Sequence, residues 1–228
     1  MRTTLTGAGL LAGALLLGGG AAQAALIDYT AGGVNLVWDN DYGATGLTWL
    51  KNANLADTVD FGVSGIAANG TMTWDVAQSW ITAMNAANYA GTNGWRLWSA
   101  LNSDGSGPCY GYNCTGSELG HLFYTEGGLT SGQAITSSTV LTQHFTNMQS
   151  SVYWSGTEYS PGPFGAWGFG TGNGVQGDVR KGGQVYGWAV RPGQVAAAPL
   201  PATGLLMALG LLVLGATRHG RRATLVIR

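Results

Sequence analysis

The sequence predicts an α+β domain, on three observations. Residues 71–91 carry apolar side chains at helical spacing. Several short stretches alternate apolar and polar residues between glycine-rich turns, as strands do. Helical stretches follow one opening hairpin and strands then cluster late in the chain, an order that segregates helices from sheet rather than alternating them.

The hairpin is "VNLVWDNDYGATGLTWL", residues 34–50. Val34, Leu36 and Trp38 alternate, "DNDYGATG" is rich in turn formers, and Leu47 to Leu50 resumes a strand. Trp38 and Trp49 are expected to face the core. Next comes "TMTWDVAQSWITAMNAANYAG", residues 71–91. Thr73 is placed to cap a helix and Asp75 sits in its first turn, where negative charge is favoured. Ala77, Trp80, Ile81, Met84 and Ala87 form one apolar stripe, and Gly91 is expected to end the helix. "CTGSELGHLFYTEGG", residues 114–128, reads as a second, shorter helix. Thr115 and Glu118 have capping-box spacing, and Leu119, Leu122 and Phe123 would face inward. Residues 151–159, 165–172 and 184–193 read as short strands separated by glycines.

Both ends of the chain read as processing segments. Met1 and Arg2 precede an apolar run from Leu5 to Ala22, and "AQA" precedes Ala25. A charged start, an apolar middle and small residues before the cut predict a signal peptide over 1–24. One domain is then expected over 25–195, ordinary in size and large enough for a real core. All nine Trp lie in it, between Trp38 and Trp188. Residues 25–198 hold five basic and eleven acidic side chains. That balance argues against nucleic acid, whose phosphates need a basic surface. The aromatic content argues against disorder. Cys109 and Cys114, in "GPCYGYNCTG", are expected to form a local disulfide in an exported chain.

The third segment, 196–228, contains "PLPATGLLMALGLLVLGATRHGRR". Its apolar stretch, Gly204 to Thr217, spans about 21 Å as a helix, against roughly 30 Å of bilayer hydrocarbon. Arg218, Arg221 and Arg222 would hold its far end on the cytoplasmic side. The arrangement suits transient anchoring in the inner membrane followed by cleavage upstream. It resembles the PEP-CTERM sorting signal, read by exosortase-type processing proteases in Gram-negative bacteria that make extracellular polysaccharide. Pro199, Leu200 and Pro201 stand where many members have Pro-Glu-Pro. The same stretch holds "LPATG" (200–204), which matches the sortase motif and supplies the alternative of a sortase-anchored surface protein.

Few residues carry chemistry. His121 lies three residues after Glu118 on the second helix, a spacing that allows an acid–base pair but more often marks a solvated helix face. No nucleophile elbow, zinc-protease helix or phosphate loop occurs, and neither an enzyme nor a cofactor is expected. Asp39 and Asp41, in "DNDYG", are the weak candidates for a cation, but the twelve-residue calcium loop is absent and a hydrogen-bonded turn is the plainer reading. Tyr and Trp set among glycines suit stacking on sugar rings, with neighbouring amides and carboxylates for hydroxyls. Tyr110, Tyr112, Asn113, Glu158 and Tyr159 are the candidate ligand-binding residues. Trp154, Trp167 and Trp188 are expected in the core.

"TGLTWL" (45–50), "WDVAQSWITAMNAANYAGTNGWRL" (74–97), "GSELGHLF" (116–123), "YWSGTEY" (153–159) and "WAVRPG" (188–193) occur in that order. Together they resemble the Lcl-like bacterial domain family, named for a collagen-like adhesin. Members usually continue Trp-Arg-Leu with Pro, where this chain has Trp98. The resemblance implies a C-type-lectin-like fold with two helices and short, loop-rich antiparallel strands. It also implies a surface recognition module. In the adhesin the domain is implicated in binding polyanionic sugars, whereas this acidic domain suits a neutral glycan or other extracellular polymer. The expectation is therefore an exported, non-enzymatic recognition module at the cell surface or matrix, the alternative being a structural matrix protein without a specific ligand.

Overall fold

A computed structural model describes residues 26–196. The expected signal peptide over 1–24 and the expected sorting residues Pro199, Leu200, Pro201, Arg218, Arg221 and Arg222 lie outside them. The strands in order are β1 (Leu26–Ala31), β2 (Val34–Asp39), β3 (Leu47–Leu50), β4 (Thr71–Met72), β5 (Arg96–Leu97), β6 (Val152–Glu158), β7 (Gly165–Gly170), β8 (Val175–Arg180), β9 (Val185–Gly187) and β10 (Ala189–Pro192). The helices are α1 (Trp74–Ala86) and two single turns, α2 (Glu118–His121) and α3 (Leu141–His144). The domain is thus mixed α+β, with one sheet ordered β1-β2-β3-β10-β5 and a second ordered β4-β9-β6-β7-β8. No helix among the described residues is long and apolar enough to cross a membrane.

The predicted hairpin exists, β2 pairing antiparallel with β3 through Leu36 opposite Leu50 and Val37 opposite Trp49. Alternation breaks down within it. Leu36 and Val37 point to opposite faces, yet both are fully buried, because this sheet is covered on both sides. Trp49 is buried as expected, but Trp38 is only half-buried. Its indole lies over the β2–β3 connection, so close to Gly46 that a Cβ there would sit 2.3 Å from Trp38 Nε1. The reading also lacked β1. It pairs with β2 across Gly32 and Gly33, whose φ values of 53° and 78° make the tight two-residue turn that glycine permits.

Helix α1 starts where the sequence places it, Thr73 accepting the amide of Val76. Ala77, Trp80, Ile81 and Met84 are buried along its predicted stripe. The helix ends at Ala86, short of Gly91, because Asn88 takes a left-handed conformation at φ 53°. Asn85 then fixes the exit, donating from Nδ2 to Trp95 O at 2.8 Å and accepting from Trp95 N at 2.9 Å. The second predicted helix is a larger correction. It covers only Glu118–His121, followed by a wide π turn over Leu122–Glu126. Ser117, not Thr115, caps it by accepting from Gly120 N. Glu118 does not complete a capping box, because its carboxylate is engaged by Arg96. The inward residues Leu119, Leu122 and Phe123 are buried as predicted.

Strands β6 to β9 form the second sheet with β4, while β10 joins the first; β6 and β9 pair parallel, against the antiparallel expectation, and β8 was concealed by its internal Gly177 and charged residues. One core unites the two sheets. Trp188 is the single residue between β9 and β10, where the chain passes from the second sheet to the first. Its indole meets Trp49 at 5.0 Å, Phe145 at 5.1 Å and Tyr153 at 5.5 Å, and donates to Leu50 O at 2.8 Å. Trp154 donates to Met72 O at 2.9 Å, tying β6 to β4. Trp154 and Trp188 are fully buried and Trp167 nearly so, as predicted.

Candidate functional site

Two regions gather chemically useful side chains. The first is the loop closed by the Cys109–Cys114 disulfide. Gly111 exchanges two 2.8 Å backbone hydrogen bonds with Gln176, so the loop covers the edge of β8. The buried Gln176 side chain donates to Cys109 O at 2.7 Å and Ala100 O at 3.3 Å, fixing the loop from beneath. Tyr110, 65% exposed, is held edge-on to Trp167 at 5.7 Å, and Tyr159 meets the same indole at 5.3 Å. Two candidate tyrosines distant in sequence therefore share one tryptophan. The Tyr110 hydroxyl donates to Asp178 at 3.2 Å, and that carboxylate pushes the phenol pKa up.

The remaining candidates are dispersed. Tyr112 and Asn113 are exposed on the same loop, Asn113 with a left-handed backbone and its amide donating to Tyr124 Oη at 3.0 Å. Glu158 pairs with Lys181, whose ammonium lies 4.4 Å from the centre of the Trp74 ring. Phe164, unremarked in the sequence, projects at the β6–β7 turn and is 85% exposed. Replacing both cysteines by Ser is expected to lower stability by about 2 kcal/mol, from loop closure alone. Chemical denaturation with and without reductant measures this, and the variant should remain folded because Gln176 still anchors the loop.

The second region joins the β2 end to α2. Asp39, Asp41, His121 and Glu126 each offer one ligand atom, and these four atoms lie within 4.8 Å of one another. His121 Nε2 is 3.1 Å from Asp41 Oδ1, 3.3 Å from Glu126 Oε1 and 3.7 Å from Asp39 Oδ2. Asp39 is not the hydrogen-bonded surface turn the sequence suggests: its side chain is 1% exposed and neither carboxylate oxygen has a hydrogen-bond partner. Glu126 Oε1 is likewise buried without one. Burial pushes the Asp39 pKa up to about 6, against the pull of His121. Burial also opposes charge on His121, but Asp39, Glu126 and Asp41 outweigh it and raise the imidazole to about 10. Tyr42 packs against the His121 ring at 5.1 Å and donates to Gly116 O at 3.1 Å.

His121 therefore does not pair with Glu118. Glu118 turns to the other side of α2, where Arg96 Nη1 and Nη2 reach its oxygens at 2.7 and 2.5 Å and Ser99 N donates at 2.6 Å. This pair borders a surface cleft of about 490 Å³, lined also by Tyr42, Trp98 and Asn102. His144 is remote from both regions, its Nδ1 2.8 Å from Asp28 Oδ2.

The sequence reading missed Glu126 and the convergence of His121 with Asp39 and Asp41. The spacing of the two aspartates was the only local signal, since their partners lie some 80 residues onward. No family model, curated protein or solved structure matches the chain.

Proposed function

We propose that this chain is an exported, non-enzymatic recognition module of C-type-lectin-like build, belonging with the Lcl-like domains and binding a neutral glycan or related extracellular polymer. The observation that carries the reading is the Tyr110–Trp167–Tyr159 cluster. Rigid rings with an exposed face suit sugar stacking, and the Asp178 carboxylate at its edge can accept from sugar hydroxyls. The long excursion between β5 and β6, in which helical segments are short and loops predominate, supports the lectin-like build. The PEP-CTERM-like tail supports delivery to the cell surface or matrix through an exosortase-type protease, with the inner membrane engaged in transit.

Co-sedimentation with neutral extracellular polysaccharide tests the proposal. The chain should be retained saturably. Tyr110→Ala with Tyr159→Ala should lose about 1–1.5 kcal/mol of binding, roughly tenfold, with far-ultraviolet circular dichroism and a cooperative unfolding transition preserved. Unchanged retention by the folded double variant would reject this cluster as the site. No retention of the parent chain would leave the structural matrix role as the better reading.

A further inference from the structure

We propose that Asp39, Asp41, His121 and Glu126 form a binding site for one divalent transition cation of the zinc class. The proposal is independent of the glycan reading and uses none of its residues.

Geometry is the first argument. Zinc binds imidazole nitrogen and carboxylate oxygen at about 2.0–2.2 Å in a tetrahedron, which puts neighbouring ligand atoms about 3.3–3.6 Å apart. The three carboxylate oxygens stand 3.1, 3.3 and 3.7 Å from His121 Nε2, which brackets that separation. All four ligand atoms lie within 4.8 Å of one another, so drawing the carboxylates in around one ion completes the shell.

Unmet polar demand is the second, independent argument. Buried carboxylates are almost always hydrogen-bonded or paired, because desolvation without a partner costs several kcal/mol. Both Asp39 oxygens and Glu126 Oε1 are buried and accept no hydrogen bond, and a single His121 imidazolium faces three carboxylates, so the cluster keeps an excess of negative charge. The Asp39 and Glu126 side chains are only 1% and 2% exposed. A small divalent ion satisfies both carboxylates at once.

Donor chemistry selects the class of ion. Calcium and magnesium take oxygen ligands in shells of six or more, and an imidazole suits neither. One imidazole with three carboxylates, and no thiolate, fits a borderline cation such as zinc. The ion displaces one proton from the His121 imidazolium to solvent, and three carboxylates with a doubly charged ion and a neutral imidazole leave one net negative charge. Asp41, on the exposed β2–β3 connection, is 39% exposed and offers the ion a way in. Once bound, the ion ties the end of β2 to α2 and to the π turn after it.

The full chain, stripped with chelator and dialysed, is titrated with Zn²⁺ by calorimetry. One ion per chain is expected, with dissociation in the micromolar range or tighter and a rise of several degrees in the unfolding temperature. Co²⁺ in its place should give the strong visible absorption of a tetrahedral site. His121→Gln should abolish both signals. Asp41→Asn, at the exposed ligand and harmless to the fold, should weaken Zn²⁺ binding at least tenfold. Absence of stoichiometric Zn²⁺ binding by the folded chain would overturn the proposal. So would undiminished binding by Asp41→Asn, or Ca²⁺ binding as tight as Zn²⁺.

Discussion

Trp188→Ala should cost about 3–5 kcal/mol, a large share of the roughly 5–15 kcal/mol that holds an ordinary domain folded. The reasons are additive in kind. The indole is fully buried and touches Trp49, Phe145 and Tyr153, so truncation leaves a large cavity at the junction of the two sheets. It also leaves Leu50 O without its indole donor. Trp188→Phe should restore much of the packing but not the hydrogen bond, and should fall between. Urea denaturation of the three chains measures the order. A Trp188→Ala chain as stable as the parent would mean that the sheets are held together elsewhere.

The second large effect concerns Arg96 and Glu118, and its interest is asymmetry. Glu118 has 6% of its side chain exposed, whereas Arg96 retains 37%. Arg96→Ala strands a buried carboxylate with only the Ser99 amide as partner, and should cost about 3 kcal/mol. Glu118→Ala leaves a guanidinium that can turn to water, and should cost about 1–2 kcal/mol. The double variant should be less destabilised than the sum of the two, by the coupling a double-mutant cycle reads. Equal costs would show that Glu118 is better solvated than its position in α2 implies.

Much of this fold was legible from local pattern. The Thr73 cap, the buried stripe of α1, the β2–β3 hairpin and the burial of the late tryptophans all follow from spacing along a few turns or strands. What escaped depends on distant residues. The start of α2 escaped because Glu118 answers to Arg96 rather than to Thr115, and no window around residue 115 contains Arg96. Leu36 and Val37 are both buried because a second layer covers the sheet, which alternation cannot register. The acidic cluster needs Asp39 and His121 to meet across the fold, so the sequence offered only two aspartates in a turn. The aromatic cluster was partly visible: Tyr110 and Tyr159 stood out by composition, but their meeting at Trp167 depends on β7 lying between the end of β6 and the loop on β8.

The passage of the chain through Trp188 also sets a timetable. Strand β10 lies between β3 and β5, so the first sheet cannot close until the last strand of the domain has arrived. Its anchoring contact, from Trp188 to Leu50, joins residues 138 positions apart. Long-range pairing of this kind slows folding, since chain entropy is lost before contacts compensate. The β1–β2 hairpin and α1 can form early, but they must wait with an open slot in the sheet. A nascent chain of this design stays vulnerable to proteases and self-association almost to its end, and a truncation just before Ala189 would leave that slot permanently unfilled.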